Sequence, residues 1–161
     1  MTSEYISITG NNVDPASCFL LQFDGGAVPN PGKACGSAVI YTNNSPRSIY
    51  LEGGVYLERA TNNQAEYTGL LFGLQQAIKS NIRDLVIEGD SQLVVMQVSR
   101  SWNVRNEALL IYHNLVRGLI KKFNYLGIRH IPRAKNSVAD KLADEGIEKG
   151  QSFLRQSLSV K

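Results

Sequence analysis

Between residues 18 and 57 three apolar runs of strand character follow one another with only tight turns between them, and from residue 62 onward helix-like and strand-like segments alternate. The runs 18–24, 34–42 and 47–57 are joined by "VPNPGK" and "NNSP", whose Pro, Gly and Asn suit turn positions, so they predict an antiparallel meander. "NNQAEYTGLLFGLQQAIKS" (62–80) carries apolar residues at helical spacing. "DLVIEGD" (84–90) reads as a short buried strand, and "YLGIRHI" as a strand ended by Pro132. "SQLVVMQVS" and "VRNEALLIYHNLVRGLIKKF" read as helices broken around Trp102, and "SVADKLADEGIEKG" as a final helix. Right-handed crossovers set the strands at 84–89 and 125–131 parallel to the first. The expected fold class is α/β, a five-stranded mixed sheet of meander plus parallel crossover strands, flanked by helices.

A chain of 161 residues suits one domain with one core. That domain is placed at 18–149. Residues 1–17 are polar, lack periodicity and predict a loosely ordered extension, and 150–161 form an unassigned tail. No run of about 18 apolar residues could span a bilayer, and the start "MTSEYISITG" lacks the basic and apolar regions of a secretory signal. Cys18 and Cys35 lie in apolar runs without metal-ligand spacing, which predicts buried thiols in a reducing, cytoplasmic setting. Residues 1–100 hold 6 Lys/Arg and 9 Asp/Glu, whereas 101–161 hold 11 and 5. A basic half beside an acidic one suits a polyanion that approaches through a metal.

The glycine-rich "DGGAVPNPGKACG" is not a phosphate cradle. Five residues separate Gly26 from Gly32, Lys33 is followed by Ala34, and the next segment is a strand, so no helix N-terminus faces the loop. Asp24 enters this loop from the end of the first strand, and Asp90 ends the strand 84–89. Ligands of open sheets sit at the carboxyl ends of parallel strands, where both residues fall. Glu66 and Asp140 open helices that could pack on the same sheet. Each carboxylate has a structural reading: Asp24 as a turn residue, Asp90 as an N-cap, Glu66 with Asn63 and Asp140 with Ser137 as capping boxes. Together they form a set whose mutual repulsion calls for a cation. Hard oxygen donors without convergent His or Cys select Mg²⁺ or Mn²⁺, and two such ions about 4 Å apart serve in-line hydrolysis of a phosphodiester.

"FDGGAVPNPG", "TNNQAEY", "IEGDSQ" and "HIPRAKNSVADKLAD" resemble, in order and spacing, the four motif blocks of type 1 ribonuclease H, over roughly residues 18–149. The resemblance implies the ribonuclease H-like fold and metal-dependent endonucleolytic cleavage of the RNA strand of RNA–DNA hybrids, leaving 5′-phosphate and 3′-hydroxyl ends. It assigns catalysis and metal binding to Asp24, Glu66, Asp90 and Asp140, with Asp24 bridging two Mg²⁺ or Mn²⁺ ions and Glu66 also meeting the 2′-hydroxyl. Gly25, Gly26, Asn30, Thr61, Asn62, Asn63, Gln92 and Asn136 match substrate contacts, the short amides suiting 2′-hydroxyls without reading sequence. Asp84, Glu88, Asp144 and Glu145 have no counterpart and are left as surface or capping residues. The expected partner is a hybrid duplex, bound by a monomer away from membranes.

The sequence departs from the pattern in two places. "VSRSWNVRNEALL" has no room for the basic protrusion with which some relatives grip the hybrid, as in forms that lack it. The residue that assists turnover is either His130, which alternates as part of a strand, or Arg133, which lies on a loop beyond Pro132; Arg133 is the preferred assignment. Two other readings compete: a binding module of the same fold without catalysis, and another nuclease of the superfold.

Overall fold

The computed structural model describes residues 4–11 and 13–157. Strands β1 (Ile6–Thr9), β2 (Phe19–Val28), β3 (Gly32–Tyr41) and β4 (Ile49–Ala60) precede helix α1 (Asn62–Lys79). Then come β5 (Asp84–Gly89), α2 (Gln92–Val98), α3 (Glu107–Ile120), β6 (Tyr125–His130), α4 (Ser137–Lys149) and β7 (Phe153–Gln156). All seven strands share one sheet in the order β1-β6-β5-β2-β3-β4-β7. β2, β3 and β4 form the antiparallel meander, and β5 and β6 run parallel to β2, as the crossover rule requires.

The sheet has seven strands instead of five because both flanking segments add an edge. β1 pairs antiparallel with β6 (Ile6 opposite Ile128), and β7 with β4 (Gly53 opposite Leu154). The segment before β2 is therefore ordered where it is described, contrary to the loose extension expected. Asp14 caps a 3₁₀ turn over Pro15–Ser17, and the Arg47 guanidinium donates to the carbonyls of Pro15, Cys18 and Thr42. Arg155 of β7 forks both terminal nitrogens onto Glu145 of α4 at 2.8 Å and donates through Nε to Glu52. Residues 1–3, 12 and 158–161, parts of the predicted extension and tail, lie outside the described residues.

α1 covers the meander side of the main core, with Tyr67, Leu70 and Leu74 buried among Leu21, Phe23, Ala38 and Ile40. It lies unusually close to the sheet. A Cβ on Gly25 would stand 2.3 Å from the carbonyl carbon of Ala65, and one on Gly36 2.4 Å from the Ala65 oxygen. A Cβ on Gly69 would stand 2.4 Å from the carbonyl oxygen of Asp24. Backbone thus rests on backbone along this seam, which only glycine allows. α4 covers the opposite face, where the Ser37 hydroxyl donates to the Ala139 carbonyl at 2.6 Å and the Asn136 amide donates to the Phe23 carbonyl at 2.9 Å.

Candidate active site

Asp24 sits one residue past the last parallel pair of β2 with β5, Phe23 opposite Gly89, and Asp90 follows the end of β5. The glycine seam lowers the first turns of α1 until Glu66 reaches the same point. One backbone N–H, that of Gly25, donates to both Asp24 Oδ1 (2.8 Å) and Glu66 Oε1 (3.1 Å). Ligand oxygens of Asp24, Glu66 and Asp90 all lie within 4.8 Å of one another. Asp140 stands apart from this cluster on the wall of the same open cleft of about 480 Å³, its carboxylate 3.8 Å from Arg133 Nη2.

The structural readings of these carboxylates fail one by one. The capping box of α1 is made by Thr61 and Gln64, so Glu66 has no capping duty. Ser91, not Asp90, caps α2 by accepting from the Val94 N–H. α4 has no side-chain cap, which leaves Asp140 free of Ser137. Asp24 belongs to a strand that runs on to Val28, so it starts no turn.

Electrostatics set this cluster apart. Asp24 and Glu66 are 6% and 7% exposed, and Glu66 Oε2 is buried with no hydrogen-bond partner among the described residues. Burial, and then their mutual contact and the Asp90 charge, push the Glu66 carboxyl far above the usual carboxylate range. Burial also raises Asp24, and it raises Asp90 against the pull of the Arg133 guanidinium. Buried like charges without a cation are costly, and an orphaned acceptor adds about 1–3 kcal/mol. The chemistry of the set, all carboxylate oxygen with one oxygen unused, fits a hard divalent cation.

The matched substrate positions divide in two. Asn62 and Asn63 are exposed on the wall of the cleft and Asn30 is exposed beside them; Asn30 Oδ1 accepts from the Asn62 N–H, and Asn62 Oδ1 from the Ala27 N–H. Gly26 faces open space, whereas Gly25 is required by α1. Gln92 is exposed at the start of α2. Asn136, matched to a substrate contact, is 0% exposed: its amide N–H ties α4 to the Phe23 carbonyl, and its Oδ1 is buried without a partner among the described residues. His130 ends β6 with Nε2 3.2 Å from the Asp90 carbonyl oxygen, and the Arg133 side chain is 81% exposed beside the cleft.

Glu88 is the residue the sequence reading placed wrongly. It is buried, not a surface group, and accepts from Tyr5 (2.6 Å), Gln22 (2.8 Å) and Arg129 (2.6 Å). Burial pushes its carboxyl up, but those three partners outweigh this and hold it below the usual range. The signal was available in the period of two: Gln22 precedes Asp24, and Glu88 precedes Asp90, by one pleat on paired strands. An ionic row therefore underlies the acidic one and links β2, β5 and β6. Asp144 is exposed, as expected, and lines the cleft one helical turn beyond Asp140.

Residues 22–146 match a family model described as reverse transcriptase-like. The crystal structure of RNase H1 from Halobacterium salinarum is 37% identical, with 81% of this chain and 98% of that one aligned at a TM-score of 0.77. LC11-RNase H1, solved in complex with an RNA/DNA hybrid, is 28% identical over 82% of this chain and 98% of its own, at a TM-score of 0.76. Bifunctional protein Rv2228c of Mycobacterium tuberculosis is 36% identical over 80% of this chain, which spans 35% of that protein's length. A match running from β2 into α4, with such identity over nearly all of an archaeal RNase H1, makes the chain a member of the type 1 ribonuclease H family.

Proposed function

We propose that the chain is a metal-dependent endonuclease that hydrolyses the RNA strand of RNA–DNA hybrids and leaves 5′-phosphate and 3′-hydroxyl ends. The observation that carries this reading is the cluster of Asp24, Glu66 and Asp90, drawn within 4.8 Å where parallel strands end, with Asp24 and Glu66 buried and one Glu66 oxygen orphaned. Asp24 would be shared between two Mg²⁺ or Mn²⁺ ions, with Asp90 and Asp140 each holding one and Glu66 holding one while meeting the 2′-hydroxyl. When bound, such ions generate hydroxide from water at neutral pH and stabilise the leaving oxygen.

The remaining work falls to the chain itself. β2 and β5 fix Asp24 and Asp90 on rigid mounts, and the Gly25 N–H orients two carboxylates at once. Asn30, Asn62, Asn63 and Gln92 offer paired donors and acceptors to minor-groove edges and 2′-hydroxyls, and open space at Gly26 lets the RNA backbone approach. Thr61, whose hydroxyl accepts from the Gln64 N–H at the start of α1, would donate to a DNA-strand phosphate. All four carboxylates come from one chain, so a monomer is the catalytic unit. Both cysteines are buried free thiols, which suits a reducing, cytoplasmic setting.

A gel with labelled RNA–DNA, RNA–RNA, DNA–DNA and single-ribonucleotide duplexes in Mg²⁺ and Mn²⁺ tests the reading. Internal cuts in the RNA of an end-blocked hybrid support it; salt-sensitive hybrid binding without cleavage would instead leave a binding module. Arg133, its side chain 81% exposed beside Asp140, assists turnover by meeting phosphate, while the His130 ring is engaged by the Asp90 carbonyl. Arg133→Ala is therefore expected to lose more turnover than His130→Ala in pH–rate profiles. The reverse order overturns the assignment.

Metal and pH act in opposite directions on stability. Asp24 and Glu66 have raised values in the folded chain, so their contribution to metal-free stability is full below about pH 4 and is lost as pH rises through their folded values. A divalent cation displaces those protons. The gain in melting temperature on adding Mn²⁺ is expected to grow from about pH 5.5 to about pH 8. A gain that shrinks over this range would count against these carboxylates as the ligands.

A further inference from the structure

α3 is apolar on two opposite sides. Leu109, Val116 and Ile120 are buried in the core, yet Ile111 and Leu115 on the far side are 65% and 52% exposed. A helix serving only the core would be polar there. The outer stripe continues at helical spacing in both directions. Glu107 lies one turn before Ile111, Gly118 three residues after Leu115, and Lys122 four beyond that, its N–H still turned onto the Leu119 carbonyl. A Cβ on Gly118 would meet nothing within 4 Å, so the stripe holds an open notch. Glu107 and Lys122 belong to none of the ion pairs among the described residues.

Read from end to end, the stripe is acid, apolar, apolar, notch, base. Reversed, it is its own complement. We infer that α3 is a self-association surface on which a second copy of this chain docks antiparallel about a two-fold axis near Asn114 and Leu115. In that arrangement Ile111 enters the notch over Gly118 of the second copy, and Glu107 meets Lys122 of the second copy at both ends. Each contact occurs twice, as an isologous interface demands. A partner of other sequence would need only the apolar stripe; the self-complementary order of charge and notch favours a second copy.

One helix face is a small interface, so the dimer is weak and appears only at high concentration. Sedimentation equilibrium on the full chain, from about 5 to about 500 µM, is expected to show a reversible monomer–dimer transition. Ile111→Glu, on an exposed position that tolerates charge, abolishes the dimer while melting and hybrid cleavage at nanomolar enzyme stay as in the parent. Glu107→Lys and Lys122→Glu each weaken association by about three- to tenfold, and the two together restore it. A chain that stays monomeric throughout the range overturns the inference. So does a dimer that survives Ile111→Glu, or a double reversal no better than the singles.

Discussion

Asp24→Asn abolishes hybrid cleavage and raises the melting temperature of the metal-free protein. The substitution keeps the shape of a side chain that is 6% exposed, and its amide oxygen still accepts from the Gly25 N–H. What it removes is one charge from a cluster in which burial and neighbouring carboxylates already oppose ionisation. Its new amide N–H₂ also supplies a donor beside Glu66, whose Oε2 has none. Relief of repulsion of about 1–2 kcal/mol corresponds to a gain of about 3–6 °C for a domain of this size. Loss of the shared ligand costs at least about a thousandfold in kcat, or about 4 kcal/mol of transition-state stabilisation. Calorimetry in EDTA and a single-turnover cleavage assay check the two halves. Cleavage at the parent rate removes Asp24 from the chemistry, and a lowered melting temperature contradicts the electrostatic account.

Gly69→Ala is expected to be the more damaging change to the fold. Alanine ordinarily gains about 1 kcal/mol over glycine inside a helix, so propensity alone predicts a stabilised α1. At Gly69 the added methyl would lie 2.4 Å from the Asp24 carbonyl oxygen and 2.6 Å from that of Ser37, and neither backbone can yield without shifting β2 or β3. Overpacking against backbone outweighs the propensity gain, giving a net loss of about 3 kcal/mol and a drop of about 6–10 °C. Because the displaced helix also carries Glu66, Mn²⁺ affinity measured by calorimetry falls with it. The control is Gly118→Ala in open space on α3, which gains stability at concentrations where the chain is monomeric. Equal effects of the two substitutions would mean that the seam does not set the height of α1.

How much of this was legible in the sequence depends on how local its cause is. The β2–β3 hairpin was readable because Pro, Asn and Gly fix its turn within a few residues, and β5 and β6 followed from the handedness of crossovers. β1 and β7 were not, because their pairing depends on strands far away: Ile6 finds Ile128, and Leu154 finds Gly53. Asp24 and Asp90 could be anticipated from where parallel strands end. Glu66 was ambiguous until Thr61 and Gln64 took the cap that Asn63 had been offered. The burial of Asn136 is not legible in the sequence, since a motif position does not reveal burial. Glu88 was overlooked because its meaning lies in three partners, Tyr5, Gln22 and Arg129, contributed by three separate strands or loops.

The short edge strands have a further consequence. Without β1 and β7, the outer rims of the sheet would be the bare backbones of β6 and the 12-residue β4, flat templates for pairing between molecules. Each rim instead carries a strand of only four residues, β7 covering Leu51–Gly54 of β4, and β7 places Arg155 there, clamped to Glu145 and Glu52. The two ends of the described chain thus cover part of each rim. Trimming either one would first be felt as aggregation, well before the cleft between them lost its shape.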